Sequence, residues 1–230
     1  MAGIDGARGG WVVVTVTATP DGTSEADVRV VPDLHGVIRR IDSGVLAAAA
    51  IDIPIGLAAR DPRLADIEAR RRLGPRRSSV FPAPVRSVLT ATTYEEACAL
   101  SRAASGKAVS KQLFNILPKI REVDALVTPL LQQRLFEMSP ELSLAVLTGA
   151  PMAHPKTTPA GRAERVHALA AVFGHAQIDR HVGAPPRGAR ADDVLDAFAG
   201  AWTARRHAAG DHLGLGGQID DRGLRMEVLA

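Results

Sequence analysis

Residues 3–17 have the sequence GIDGARGGWVVVTVT, and the rest of the fold can be worked out from this stretch. A short apolar segment closes on Asp5 and is followed by a glycine-rich turn at residues 6–10. Residues 11–17 are β-branched almost throughout, which predicts a strand. The pattern therefore predicts two strands joined by a tight turn, with a carboxylate at the end of the first strand.

The next residues extend this hairpin. Residues 20–22, Pro-Asp-Gly, predict a turn, and residues 28–31 predict a third short strand, so the three strands should form an antiparallel meander. Residues 34–41 have helical spacing. Residues 45–55 are apolar apart from Asp52, as expected of a strand buried on both faces.

The remainder of the chain predicts mainly helices. They are expected between about 57 and 134, with starts after Thr93 and Ser110, and then at residues 142–147, 162–173 and 192–208, with short strands at 134–137 and 223–228. This is the element order of an RNase H-like α/β fold. We therefore expect one domain, residues 1–230, with a mixed five-stranded sheet of three antiparallel strands plus parallel strands, flanked by helices. A mostly helical basic insertion should occupy about 57–134.

Composition limits the possible functions. Hydrophobic residues make up 46% and charged residues 23%, which is typical of a soluble globular protein, and no run approaches the roughly 20 apolar residues of a membrane span. No secretory leader is recognisable, so we expect a cytoplasmic protein without a membrane partner. Cys98 is the one cysteine, which excludes an internal disulfide and a multi-cysteine zinc site.

Two aspartates break the rule that buried strands lack ionised groups: Asp5 and Asp52. In an RNase H-like sheet their strands are neighbours, and two adjacent carboxylates repel unless a cation neutralises them. Mg²⁺ or Mn²⁺ would do so, and a two-metal-type site could then hydrolyse a phosphodiester. For either residue alone, a hydrogen bond to nearby backbone amides explains the carboxylate as well. For the pair, we favour a metal site.

Further acidic residues could complete this site. Glu137 ends a predicted strand and is the better ligand candidate, because Glu141 is explained by the dipole of the helix that it begins. Asp193 and Asp196 share one face of the last helix, although capping explains Asp193 equally well. We therefore predict Asp5, Asp52, Glu137 and Asp193 as catalytic residues and metal ligands, with Asp196 as a further ligand.

Basic residues are concentrated in one segment. Residues 60–124 contain thirteen lysines and arginines against seven aspartates and glutamates. This asymmetry predicts a surface that faces a polyanion such as nucleic acid, and a solvated helical insertion explains it equally well. Because arginine forks and hydroxyls bind phosphate, the predicted phosphate-binding residues are Arg76, Arg77, Ser78, Ser79, Lys111, Lys119 and Lys156.

Several of these motifs together resemble the DUF429 family, described as predicted nucleases with an RNase H-like fold. The resemblance lies in residues 3–6, 51–57, 74–84, 110–112, 119–124, 137–141, 156–157 and 192–197. It implies the fold and a metal-dependent phosphodiesterase activity. The family pattern usually has histidine where this chain has Ser139.

The leading hypothesis is a Mg²⁺- or Mn²⁺-dependent nuclease. One alternative is a non-catalytic RNase H-like module that binds nucleic acid or acts as a scaffold. Another is an enzyme that acts on a phosphorylated small molecule, because a fold does not determine a function.

Overall fold

The computed structural model describes residues 1–19 and 24–230, so the turn predicted at residues 20–22 lies outside the described residues. The strands are β1 (Ala2–Ala7), β2 (Gly10–Ala18), β3 (Ser24–Val31), β4 (Ala49–Ile51), β5 (Leu135–Glu137), β6 (Gly214–Ile219) and β7 (Arg225–Leu229). The helices are α1 (His35–Asp42), α2 (Leu64–Leu73), α3 (Tyr94–Ser105), α4 (Lys111–Leu126), α5 (Pro140–Thr148), α6 (Pro159–Phe173), α7 (His175–Gly183) and α8 (Ala191–Ala208).

Five strands form a mixed sheet in the order β3-β2-β1-β4-β5. The pairs β1–β2 and β2–β3 are antiparallel, whereas β4 runs parallel to both β1 and β5. Helices flank this sheet, so the predicted α/β fold with three antiparallel and two further parallel strands is confirmed. The predicted strand at residues 45–55 is too long, because only Ala49–Ile51 pairs with its neighbours.

The chain divides into two compact units. The first contains residues 1–52, 134–213 and 229–230, and therefore the whole five-stranded sheet; the second contains residues 53–133 and 214–228. The first segment of the second unit, residues 53–133, has nearly the limits predicted for the helical insertion. The unit also includes the later segment 214–228. That all 230 residues form one domain stays a prediction.

A close contact between β1 and α8 organises the core of the first unit. Residues 194–204 of α8 are all buried, so this helix is enclosed rather than amphipathic. A Cβ atom on Gly3 would lie 1.9 Å from the carbonyl oxygen of Ala197 and 2.1 Å from the amide nitrogen of Ala201. Gly200 faces the same contact, since its Cβ would lie 3.0 Å from the Cα of Gly3. Glycine therefore lets the helix backbone touch the strand backbone.

The second unit contains α2, α3 and α4, with β6 and β7 as a separate two-stranded sheet. The sequence predicted β7 but neither its partner β6, which is rich in glycine, nor α7 in the first unit. Pro118 lies inside α4 without dividing it. Among residues 1–19 and 24–230, no helix has the length and apolar character to cross a membrane.

Candidate active site

Sheet register brings the two predicted aspartates to one place. Ile4 of β1 is paired with Ile51 of β4, so Asp5 and Asp52 each follow one residue of this pair. The amide of Asp52 donates a hydrogen bond of 3.0 Å to the carbonyl oxygen of Ile4. The prediction that Asp5 and Asp52 are neighbours in the sheet is therefore confirmed, although Asp5 lies within β1 rather than at its end.

Asp196 of α8 adds a third carboxylate. Its side chain is only 4% exposed, and it is the one charged residue within the buried stretch 194–204. Because Gly3 and Gly200 allow α8 to touch β1, Asp196 comes close enough to Asp5 and Asp52 to raise the pKa of both. The described structure thus joins the predicted ligands Asp5, Asp52 and Asp196.

Burial and mutual repulsion disfavour the ionised forms of these three carboxylates. Burial raises the pKa of Asp5 well above its ordinary value, and the charges of Asp196 and Asp52 raise it further. Burial and the Asp196 charge raise the pKa of Asp52 to about 7. Burial also raises the pKa of Asp196, although the ammonium group of Lys156 partly opposes this. Added positive charge would therefore stabilise the cluster.

Lys156 supplies part of that charge. Its Nζ lies 2.6 Å from Oδ2 of Asp196. Burial opposes the charge of Lys156, but the carboxylates of Asp196, Asp52 and Asp5 outweigh this and raise its pKa above the ordinary value. Lys156 belongs to the first unit, whereas the other six predicted phosphate-binding residues belong to the second.

Two glutamates lie near the carboxyl end of β5. Glu137 ends β5, is paired with Ile51, is buried, and raises the pKa of Asp52. Glu141 in the first turn of α5 is also buried and contributes to the raised pKa values of Asp52 and Asp196. Both predicted alternatives therefore belong to the electrostatic environment of the cluster.

Glu141 has a feature that the sequence did not reveal. Its Oε1 accepts a hydrogen bond from the Nη2 of Arg165, and this ion pair is almost completely buried. Its Oε2 is also buried and has no hydrogen-bond partner in the described structure. A buried carboxylate oxygen without a partner is costly, which makes it a candidate ligand for a cation.

Asp193 has a capping role. Its Oδ2 accepts a hydrogen bond of 2.8 Å from the amide of Arg190, the residue that precedes α8. It is only half-buried, and its charge raises the pKa of Asp5 less than the charges of Asp196 and Asp52 do. Its role as a ligand stays a prediction.

The predicted phosphate-binding turn of the second unit is a 3-10 segment, Gly74–Ser79. Arg77 lines an open cavity of about 420 Å³ together with Arg70, Arg71 and Gly74. The Nε of Arg76 is buried without a hydrogen-bond partner in the described structure. These arginines could receive an anion within this unit.

Lys111 and Lys119 both lie on α4 of the second unit. Lys111 is exposed at the start of this helix, and its Nζ lies 5.7 Å from the ring centroid of Tyr94. Their role in binding phosphate stays a prediction.

In a comparison with protein families, residues 3–219 match the family model described as "Protein of unknown function (DUF429)". The chain belongs to the DUF429 family. The curated proteins and the solved structures gave no match. The resemblance predicted from the sequence is thus confirmed over nearly the whole chain.

The donor set of this DUF429 protein suits a hard divalent cation. Carboxylate oxygens are the preferred ligands of Mg²⁺, which is often held by one or two carboxylates, with water and substrate phosphate as the other ligands. In residues 1–19 and 24–230, no three Asp, Glu, His or Cys side chains are arranged to hold a metal ion together. Asp5 and Asp52 are a pair of adjacent carboxylates, a donor set that suits one such ion whose other ligands are water and phosphate.

Two neighbours of the cluster, Glu141 and Lys156, were not predicted to lie beside it, for identifiable reasons. The helix dipole was a sufficient explanation for Glu141 in the sequence, and only the structure shows that it is buried and paired with Arg165. Lys156 precedes two threonines, which favoured phosphate binding. The useful sequence signal was Asp196 itself, a lone charge in the apolar stretch 194–204.

Proposed function

We propose that this DUF429 protein is a Mg²⁺- or Mn²⁺-dependent nuclease that hydrolyses phosphodiester bonds of nucleic acid. The observation that supports this most strongly is the group of buried carboxylates, Asp5, Asp52 and Asp196, brought together from three elements and raised in pKa by burial and mutual repulsion. A purely structural group would be expected to carry a full set of partners, whereas Glu141 retains a buried oxygen without one.

Each residue has a defined part in this proposal. Asp5 and Asp52 would hold the divalent ion, and Glu137 and Asp193 would complete or orient its ligands. The chemistry supplied by a bound ion is activation of a water molecule and stabilisation of the leaving oxygen. Arg165 holds Glu141 through Oε1, so that the other carboxylate oxygen keeps a fixed direction.

In the second unit, binding of backbone phosphate is assigned to Arg76, Arg77, Ser78, Ser79, Lys111 and Lys119. Arginine at residues 76 and 77 suits this task, because the guanidinium group presents a fork of donors that matches two phosphate oxygens.

Cleavage assays with acidic-site variants test the proposal. Asp52→Asn and Asp196→Asn should each lower Mn²⁺-dependent cleavage of labelled oligonucleotides by more than about a hundredfold, since loss of even an outer partner of a metal ligand costs about 10–100-fold. Asp27→Asn is a matched control, because Asp27 is exposed and paired with Arg29 on the same strand. A pair of site variants that cleave like wild type would refute the proposal.

A second candidate, an enzyme acting on a phosphorylated small molecule, is favoured by the arginine-lined cavity of about 420 Å³. Such a volume suits a small ligand better than a continuous phosphate backbone. Protection from thermal unfolding by small phosphomonoesters, lost in Arg77→Ala, together with failure to bind any oligonucleotide, would favour this candidate over the nuclease.

A further inference from the structure

Lys156 lies in the connection between α5 and α6, directly against the acidic cluster. Its ammonium group is 2.6 Å from Oδ2 of Asp196, and the Asp196 side chain is almost completely buried. The Lys156 side chain is 46% exposed, so it reaches the carboxylate from the solvent side. An ion pair with one buried partner is less screened than a surface pair.

The connection that carries Lys156 is held firmly on α6. Glu164 accepts hydrogen bonds from the amides of Ala153 and His154, at 2.7 and 3.0 Å. Arg165 donates to the carbonyl oxygen of His154 at 3.1 Å. The same Arg165 is paired with Glu141, so one buried guanidinium orders both the lysine-bearing segment and a carboxylate beside the cluster.

A close backbone contact with α6 also fixes the segment that carries Lys156. A Cβ atom on Gly161 would lie only 2.0 Å from the carbonyl oxygen of Pro155, so only glycine allows α6 to approach at this point. Thr158, which caps α6, also donates to that carbonyl oxygen at 2.8 Å. The position of Lys156 is therefore built into the fold and does not depend on a flexible surface loop.

The carboxylates of the cluster are consequently not equivalent. Asp196 is paired with Lys156 and Glu141 with Arg165, although Oε2 of Glu141 has no hydrogen-bond partner in the described structure. Asp5 uses one oxygen to accept a hydrogen bond of 2.7 Å from the amide of Gly6. The need for added positive charge is thus greatest at Asp5 and Asp52.

We propose that Lys156 is a resident cation of the acidic cluster, which neutralises Asp196 and limits the cluster to a single divalent ion at Asp5 and Asp52. This inference rests on the proposed function, because it assumes that the cluster binds a divalent ion. It replaces phosphate binding as the role of Lys156, and it replaces a two-ion site by one ion and one ammonium group.

The test is the number of Mn²⁺ ions bound by the full chain at pH 8 without nucleic acid, measured from the electron paramagnetic resonance signal of free Mn²⁺. Wild type and Lys156→Arg, which keeps the charge, should bind one ion. Lys156→Met and Lys156→Gln should bind a second ion or bind the first at least about tenfold more tightly. Arg162→Met is a matched control that should bind one, because Arg162 is an exposed cation 3.8 Å from Asp192.

The outcomes separate this inference from the proposed function. Two ions in the wild type, or identical isotherms for wild type, Lys156→Met and Lys156→Gln, would overturn the role of Lys156 and leave the metal site intact. Absence of Mn²⁺ binding in all variants would overturn both. Circular dichroism establishes that each variant is folded, and the two neutral replacements provide independent readings.

Discussion

The Asp52→Asn variant is expected to be more stable than the wild-type chain at pH 8 without divalent ions, by about 1–3 kcal/mol. The pKa of Asp52 is raised from 3.8 to about 7, so the folded state binds a proton more tightly than the unfolded state. The wild-type chain therefore loses stability as the pH rises from about 4 through about 7. The full shift would correspond to roughly 4 kcal/mol, and the partial exposure of Asp52 reduces the expected effect.

Chemical denaturation of both proteins at several pH values measures this difference. The advantage of Asp52→Asn should shrink towards zero as the pH falls below about 4, where the wild-type carboxyl becomes protonated in both the folded and the unfolded state. Excess Mn²⁺ should stabilise the wild type and not the variant, since an ion that binds only the folded state adds to its stability. Lower stability of Asp52→Asn at pH 8 would show that the carboxylate is satisfied as it stands.

The Gly3→Ala variant is expected to lose about 3 kcal/mol or more of stability, and with it the geometry of the cluster. The added methyl group would overlap the backbone of α8 at Ala197 and Ala201, and backbone atoms cannot rotate away as a side chain can. The strand and the helix must then separate, which moves Asp196 away from Asp5.

Thermal unfolding compared with a second glycine substitution measures this effect. Gly36→Ala in α1 is the control, because its Cβ would have no neighbour nearer than 3.8 Å and alanine favours a helix, so stability should rise by about 0.5–1 kcal/mol. Equal unfolding temperatures for Gly3→Ala and wild type would contradict the close contact between β1 and α8.

The sequence was sufficient for the fold and for the centre of the candidate site. Alternating and β-branched runs predict the meander, and parallel neighbours in this topology bring Asp5 beside Asp52. Strand length was less predictable: residues 45–55 are apolar throughout most of their length, yet only Ala49–Ile51 pairs with β1 and β5. Apolar character reports burial and does not show where the ladder ends.

The rest of the site depends on tertiary contacts that sequence periodicity does not contain. The sequence placed Asp193 and Asp196 on one face of α8, but it did not show that the helix is buried on all sides of residues 194–204, where two glycines let it contact the sheet. The burial of Glu141 depends on Arg165, 24 residues later in the chain. Lys156 joins the cluster only because α6 anchors the preceding segment.

Anomalous scattering from Mn²⁺-soaked crystals tests the central claim most directly. Diffraction at the manganese absorption edge should show one strong peak within about 2.5 Å of carboxylate oxygens of Asp5 and Asp52, and that peak should be absent in Asp52→Asn. A crystal of the wild-type chain at high Mn²⁺ with no peak between Asp5 and Asp52 would contradict the assignment of a metal-dependent active site.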